Sequence, residues 1–226
     1  MTDNEPEERD LRTASFEEFV EFLFAREVIP SPRYGSDDPE PWYYGAGALT
    51  EPLRLLLFYT RLFAEPAFLR DRFSDPQIEQ GFSVILSPLC PVWSVRDILE
   101  DTDLPFRLRT NCVRAMVSLF EKLFGTLPSG FAVYMWWDIL AYPWFADTRS
   151  RLAGGEDESM QDVMFETLGR ILDLPQAQSQ DSALHGLGHL CHPGTEALID
   201  RYLEANPGID PRLREFAERA RRFDVL

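Results

Sequence analysis

Apolar residues recur at helical spacing along most of this chain, whereas the alternating pattern typical of strands is almost absent. In SFEEFVEFLFARE, Ser15 and Glu18 form a capping box, and apolar residues follow every three or four positions. Residues 105–125, PFRLRTNCVRAMVSLFEKLFG, carry a broad apolar stripe and end in glycine, which is typical of a helix C-terminus. The sequence therefore predicts an all-α fold.

Two further helices are predicted from a polar capping residue followed closely by proline. Thr50 is the expected cap of a helix with Pro52 in its first turn. Pro66 interrupts that helix and is expected to begin a short new one. Asp75 and Pro76 repeat the same pattern at the start of the next helix.

The longest apolar stretch, FAVYMWWDILAYPWF at residues 131–145, predicts a buried helix. It is too short to span a bilayer and is interrupted by Asp138 and Pro143. A helix lying on a membrane surface is the alternative, but such helices usually carry lysine or arginine, and this stretch has none. We therefore expect no membrane partner.

Another hypothesis for this stretch is a small-molecule pocket lined by Trp136, Trp137, Tyr142 and Trp144.

The formal net charge of −16 comes from 38 acidic and 22 basic residues. Such an excess of acid disfavours direct binding to nucleic acid, because phosphates require a basic surface. It suits a basic protein partner, although it also serves solubility alone. The first fifteen residues have no apolar core, and the three cysteines are odd in number and widely spaced. We therefore expect a cytoplasmic protein with reduced thiols.

Composition divides the chain into four predicted segments. Residues 1–14 are acidic and polar and are expected to be disordered. Residues 15–147 are predicted to form an irregular multi-helical domain. Residues 148–159, which are polar and contain a glycine pair, are the expected joint. Residues 160–226 are predicted to form a second helical unit that packs on the first.

The segment from residue 30 to residue 48 is rich in proline and glycine and is long for a loop within a compact domain. Long ordered loops often carry function, and aromatic side chains on them supply contact area for a partner. The alternative is that these aromatics only fix the loop to the core. The candidate interaction residues are Tyr34, Trp42, Tyr43 and Tyr44.

A weak internal repeat is visible near the C-terminus, where residues 166–175 align with residues 197–207 after one gap. Each unit then reads as a helix, a proline-containing turn and a second helix. The stretch DSALHGLGHLCHPGTEALIDRYLEAN resembles the helical pairs of HEAT-like repeat proteins. Segments similar to SALHGLGHL also occur in bacterial proteins of uncharacterised function. The resemblance implies a short stack of α-hairpins from residue 160 onward and no particular chemistry.

All three histidines of the chain lie within residues 182–194, SALHGLGHLCHPG. In a helix, His185, His189 and His192 share one face, and Asp181 lies one turn before them. Two imidazoles four residues apart can bind one ion of zinc or another transition metal, with His192 as a third ligand. In this hypothesis, Asp181 accepts a hydrogen bond from the second ring nitrogen of His185.

The alternative for these histidines is a structural role against a neighbouring helix. Gly186 and Gly188 favour it, because a glycine inside a helix costs about 1 kcal/mol and often marks close helix approach. In addition, HGLGH lacks the glutamate that zincin-type sites use as a general base. Motifs for nucleotide binding, for acyl transfer and for paired cysteines are absent from the sequence.

The sequence as a whole favours a non-enzymatic helical protein-interaction module. One concrete form is an acidic inhibitor or adaptor of a basic protein. The alternative is a metal-dependent enzyme that uses His185, His189 and His192. Apart from such an ion, we expect no cofactor.

Overall fold

The structure is a computed structural model that describes residues 9–28, 48–88, 90, 92–128 and 130–225. Helices dominate it, which confirms the predicted all-α fold. The helices are α1 (Phe16–Phe24), α2 (Pro52–Ala64), α3 (Asp75–Leu86), α4 (Val95–Glu100), α5 (Phe106–Lys122), α6 (Phe131–Phe145), α7 (Gly155–Leu172), α8 (Ala177–Leu190), α9 (Thr195–Ala205) and α10 (Pro211–Ala220). Short 3₁₀ helices cover Pro66–Asp71, Phe124–Thr126 and Arg151–Ala153. Two short parallel strands, β1 (Arg9–Asp10) and β2 (Ala48–Leu49), complete the fold.

The segment that was predicted to be disordered is partly held on the fold. Residues 1–8 lie outside the described part, but β1 pairs with β2, and the Leu11 N–H donates to the Leu49 carbonyl over 2.8 Å. Leu11 and Ala14 are buried in the core. Arg54 donates from Nε to the Ala14 carbonyl over 3.0 Å. Two buried side chains and these hydrogen bonds therefore order residues 9–14, against the prediction.

The predicted capping box of α1 is confirmed. The Glu18 N–H donates to Ser15 Oγ over 3.2 Å, and the Ser15 N–H donates to Glu18 Oε2 over 2.7 Å. The prediction of Thr50 as the cap of α2 is wrong, because Glu51 occupies that position in an extended conformation. Proline disfavours the helical backbone conformation at the residue before it, so Glu51 is extended and α2 begins at Pro52.

Two other helix boundaries differ from the prediction by one to three residues. Ser74, rather than Asp75, caps α3, and it forms a capping box with Gln77. Helix α5 ends at Lys122, three residues before the expected glycine, since the chain turns there into a 3₁₀ helix. Pro66 begins a short 3₁₀ helix, as predicted.

Helix α6 crosses the interior, which confirms that residues 131–145 form a buried helix. The Trp136 ring is enclosed by Phe63, Phe82 and Phe124, with centroids 5.3 to 5.9 Å away in edge-to-face arrangements. Trp137 is also fully buried, and Trp144 is nearly so. The hypothesis of a pocket lined by these tryptophans is therefore wrong, because their rings fill the core.

Helix α8 packs on α6, α7 and α10 at close range. A Cβ atom at Gly186 would lie 2.5 Å from Trp137 Cβ and 2.9 Å from Leu168 Cδ2. A Cβ atom at Gly188 would lie 2.5 Å from Val225 Cγ1. These distances confirm that the two glycines permit close approach of neighbouring elements.

The last four helices form two consecutive hairpins, α7–α8 and α9–α10. Their turns contain Pro175 and Pro207, as the internal alignment predicts. The segment 148–159 contains the 3₁₀ helix Arg151–Ala153 and the first residues of α7. One continuous core includes residues from both sides of this segment. Assignment of the hairpins to a HEAT-like class stays a prediction.

Within the described ranges, no helix combines the length and the apolar character needed to cross a lipid bilayer.

Candidate metal centre

Two histidines of α8 and one aspartate of α6 converge on a single point. His189 Nε2 lies 2.6 Å from Asp138 Oδ1, and His185 Nε2 lies 3.5 Å from the same oxygen. The two Nε2 atoms are 3.1 Å apart. Among the residues that the structure describes, these three form a group of possible metal ligands. We call them the His2Asp cluster.

Helix packing creates the His2Asp cluster. His185 and His189 project from one face of α8 because four residues make about one helical turn. Gly186 lets that face approach α6, where Asp138 is the one acidic residue of an otherwise apolar helix. His189 is 0% exposed, and the Asp138 side chain is 17% exposed. The carboxylate is thus the part of the cluster nearest to solvent.

The three ligand atoms lie close enough together to contact one zinc ion, although ideal tetrahedral coordination would widen the 2.6 Å contact between His189 and Asp138 to about 3.3 Å. Their separations of 2.6, 3.1 and 3.5 Å define a triangle with a circumradius of about 1.8 Å. A point slightly above its plane therefore lies about 2 Å from all three atoms, the usual Zn–N and Zn–O distance. Three protein ligands also leave one tetrahedral position open, as in catalytic zinc sites.

One proton accounts for the closest contact of the cluster, the 2.6 Å between His189 Nε2 and Asp138 Oδ1. If the His189 Nε2–H donates to Asp138, His185 Nε2 either shares that hydrogen as a second acceptor or carries its own hydrogen, which then points toward His189. The buried Nδ1 of His189 has no hydrogen-bond partner among the described residues, whereas His185 interacts with the backbone of Tyr134. Buried polar groups normally have partners, so the unpaired His189 Nδ1 sets this cluster apart from an ordinary packed core.

The electrostatics of His185 suit metal binding. Burial lowers the pKa of His185 below its ordinary value, and the adjacent His189 lowers it further. The Asp138 carboxylate opposes this shift but does not reverse it. Because metal ions bind neutral imidazole, the lowered pKa keeps His185 in its ligating form at neutral pH.

Aromatic rings surround both imidazoles. Tyr134 and Phe216 lie against His185, with ring centroids 4.8 and 6.0 Å away. Tyr142 and Phe145 lie against His189, at 5.6 and 5.1 Å. These rings lower the local dielectric constant, which strengthens any charge interaction at the cluster.

A cavity of about 280 Å³ reaches Asp138 from the outer side of α6. Tyr142 and Ile139 of α6 form one part of its wall, and Ser94 and Arg96 at the start of α4 form another. The cavity gives a small molecule access to the carboxylate side of the cluster.

His192 does not join the cluster, which corrects the expected ligand set. Its Nδ1 accepts from the Gly194 N–H over 2.9 Å, and its Nε2 lies 3.0 Å from Asp162 Oδ1. The ring stacks on Phe165 with centroids 3.9 Å apart. Cys191 ends α8 in the left-handed conformation, with φ of 51°, so the chain turns His192 away from the other two histidines.

The predicted hydrogen bond from His185 to Asp181 is also not formed between these described residues, since His185 interacts instead with the backbone of Tyr134. Asp181 instead lines two surface cavities. The other candidate residues, on the proline-rich loop, are Tyr34, Trp42, Tyr43 and Tyr44, and they lie outside the described residues.

Asp138 was not among the residues predicted for a metal site, because in the sequence it only interrupts an apolar run. A charged residue in a buried helix needs a partner, because an unpaired buried charge is very costly. Pairing this acid with the histidine face of α8 would have identified the cluster.

Comparisons with known proteins give no family for the chain. No protein-family model matches it, and searches of curated proteins and of solved structures likewise found no match.

Proposed function

We propose that this protein binds a divalent transition-metal ion through Asp138, His185 and His189, and that the ion is the centre of a metal-dependent enzyme. The convergence of one carboxylate oxygen and two Nε2 atoms within 3.5 Å of one another supports this proposal. Imidazole and carboxylate ligands suit zinc, iron, copper and nickel, and all three atoms are within reach of one such ion.

Two features favour a catalytic ion over a structural one. Structural zinc sites normally use four protein ligands, whereas the His2Asp cluster contributes three. The cavity that reaches Asp138 offers room for a substrate beside the open position. An ion held there would supply Lewis acidity and would lower the pKa of a bound water. Hydrolysis of a small substrate is the reaction class that this arrangement suits.

Elemental mass spectrometry on untagged protein purified without chelators tests the proposal. We expect about one equivalent of metal in the wild type, no bound metal in His189→Ala, and at least tenfold weaker zinc binding in Asp138→Asn. His192→Ala is the matched control, because it removes a histidine outside the cluster and should retain the ion.

The proposal fails if the wild type binds no zinc even after zinc is added to metal-free protein. It also fails if His189→Ala, when folded, retains as much metal as His192→Ala. Circular dichroism of each variant establishes that the fold is intact, so that loss of metal is not mistaken for unfolding.

We propose as a second candidate that the protein binds a basic protein partner. The net charge of −16 supports it, and so do three exposed aromatic residues on the outer face of α6. These residues are Phe131, Tyr134 and Tyr142. A specific partner should remain bound to the His185→Ala/His189→Ala variant and dissociate from Phe131→Ser. If the partner instead dissociates from His185→Ala/His189→Ala and stays bound to Phe131→Ser, partner binding depends on the metal centre.

A further inference from the structure

The carboxylate of Asp181 lies between two cavities on the side of α8 that carries the histidines. One cavity, of about 400 Å³, is bordered by Phe131, Tyr134 and Gln178. The other, of about 770 Å³, extends toward Phe216 and the start of α10. Both are lined by Asp181 itself. A single side chain thus contributes a charge to two adjoining concave surfaces.

The Asp181 carboxylate is unpaired within the part of the chain that the structure describes. Across residues 9–28, 48–88, 90, 92–128 and 130–225, no hydrogen bond or ion pair is formed by its side chain. Partial burial raises the pKa of Asp181, and no nearby cation offsets that effect. A half-buried acid normally pairs with a cation, so the cavities beside Asp181 suit a cationic ligand.

The walls of the smaller cavity narrow the chemistry of that ligand. Phe131 is 58% exposed and Tyr134 is 44% exposed, so both present aromatic surface to solvent. Aromatic faces attract organic cations. A hard metal ion, in contrast, requires several oxygen ligands, whereas this cavity contributes one carboxylate.

The smaller cavity suits a cation better than the larger one, because none of its described lining residues is basic. Arg212 lines the larger cavity and repels a positive ligand there. The Asp210 carboxylate in that cavity already accepts the Arg212 backbone N–H over 2.8 Å. The net charge of −16 also raises the concentration of cations near the surface.

We infer that the cleft between Asp181, Phe131 and Tyr134 binds a primary ammonium group carried on an aliphatic chain. Asp181 forms the ion pair with the ammonium, and the two rings contact the ammonium and the adjoining methylene groups. The group belongs either to a free amine or to a lysine side chain. This inference does not require a metal ion in the His2Asp cluster.

Isothermal titration calorimetry with 1,5-diaminopentane tests the inference, with uncharged 1,5-pentanediol as the control ligand. The titrations are done in 0.15 M salt, with metal-free and with zinc-loaded protein. We expect diamine binding in both forms and no binding of the diol. If the protein does not bind zinc, the proposed metal centre is overturned, but the amine site can still be tested with the metal-free form.

Matched variants identify the residues responsible. Asp181→Asn keeps the shape of the side chain and should weaken diamine binding at least tenfold. Tyr134→Leu removes the ring and should weaken it about threefold. Glu166→Gln is the control, because it removes the same charge from an exposed position on α7. The affinity of this variant for the diamine should stay within twofold of the wild type.

A blocked peptide that contains one lysine separates the two sources of the ammonium group. Binding of the diamine alone assigns the site to free amines, and binding of the peptide assigns it to lysine side chains. The inference is overturned if neither ligand binds. It is also overturned if Asp181→Asn and Glu166→Gln weaken binding equally, because this would mean diffuse attraction to an acidic surface. If Tyr134→Leu does not fold, the comparison of the two acid variants decides.

Discussion

Replacing Gly186 by alanine tests the helix contact that forms the His2Asp cluster. The added Cβ atom would lie 2.5 Å from Trp137 Cβ and 2.9 Å from Leu168 Cδ2. The Leu168 methyl group can rotate away, but Trp137 Cβ is fixed to the backbone of α6. Helices α6 and α8 must therefore separate by several tenths of an ångström to admit one methyl group.

Two opposing effects set the change in the free energy of unfolding of Gly186→Ala. Inserting a methyl group into a well-packed core costs about 1 to 3 kcal/mol. The rigid contact at Trp137 puts Gly186→Ala near the upper value. Alanine in place of glycine within a helix returns about 1 kcal/mol. The free energy of unfolding should therefore fall by about 2 kcal/mol, which for a chain of this size lowers Tm by about 4 to 8 °C.

Gly169→Ala is the matched control because Gly169 also lies within a helix. Its added Cβ atom would be 3.5 Å from Leu198 Cδ2, an ordinary van der Waals contact. The helix-propensity term then acts almost alone, so the free energy of unfolding should rise by up to about 1 kcal/mol. Thermal and urea denaturation of the two variants measure the difference.

The same substitution should weaken metal binding. Gly186 is adjacent to His185, and Trp137 is adjacent to Asp138, so separation of the helices moves the ligands apart. Zinc affinity should fall in Gly186→Ala and stay unchanged in Gly169→Ala. If Gly186→Ala is as stable as the wild type, the close contact of α6 and α8 is refuted, whatever its zinc affinity.

Three further predictions concern other parts of the fold. Arg109→Met should lower the free energy of unfolding by about 3 kcal/mol in urea denaturation, because it leaves the Leu99 and Leu104 carbonyls without their donor, and a loss below about 1 kcal/mol would contradict this. The ion pair with Glu156 adds little, since that carboxylate is 47% exposed. Cys191→Gly should raise stability by about 1 kcal/mol, since glycine accepts the φ of 51° at the end of α8 without strain, and an unchanged Tm would argue against such strain. Burial raises the pKa of Asp181 above its value in the unfolded chain, so its contribution to stability is present at low pH and is lost as pH rises through the folded-state pKa. Asp181→Asn should therefore stabilise the protein at pH 8 more than at pH 4 in urea denaturation, and an equal effect at both values would contradict the raised pKa.

Local signals account for most of what the sequence predicted correctly. The capping box at Ser15 and Glu18 involves residues three positions apart, so it is visible without knowledge of the fold. The same logic misplaced the start of α2, because the effect of Pro52 on the residue before it overrides the capping preference of Thr50. The order in residues 9–14 was missed because it depends on burial of Leu11 against distant residues.

The candidate site was also predictable only where its residues are close in the sequence. Helical spacing alone places His185 and His189 on one face, and both prove to be members of the cluster. The third member lies on another helix, so no spacing along α8 can indicate it. The contact between Gly186 and Trp137, the neighbour of Asp138 in the sequence, sets the register of α8 against α6. The two interpretations of the histidine segment, close packing and metal binding, are therefore not exclusive, because the glycine packing brings the carboxylate to the imidazoles.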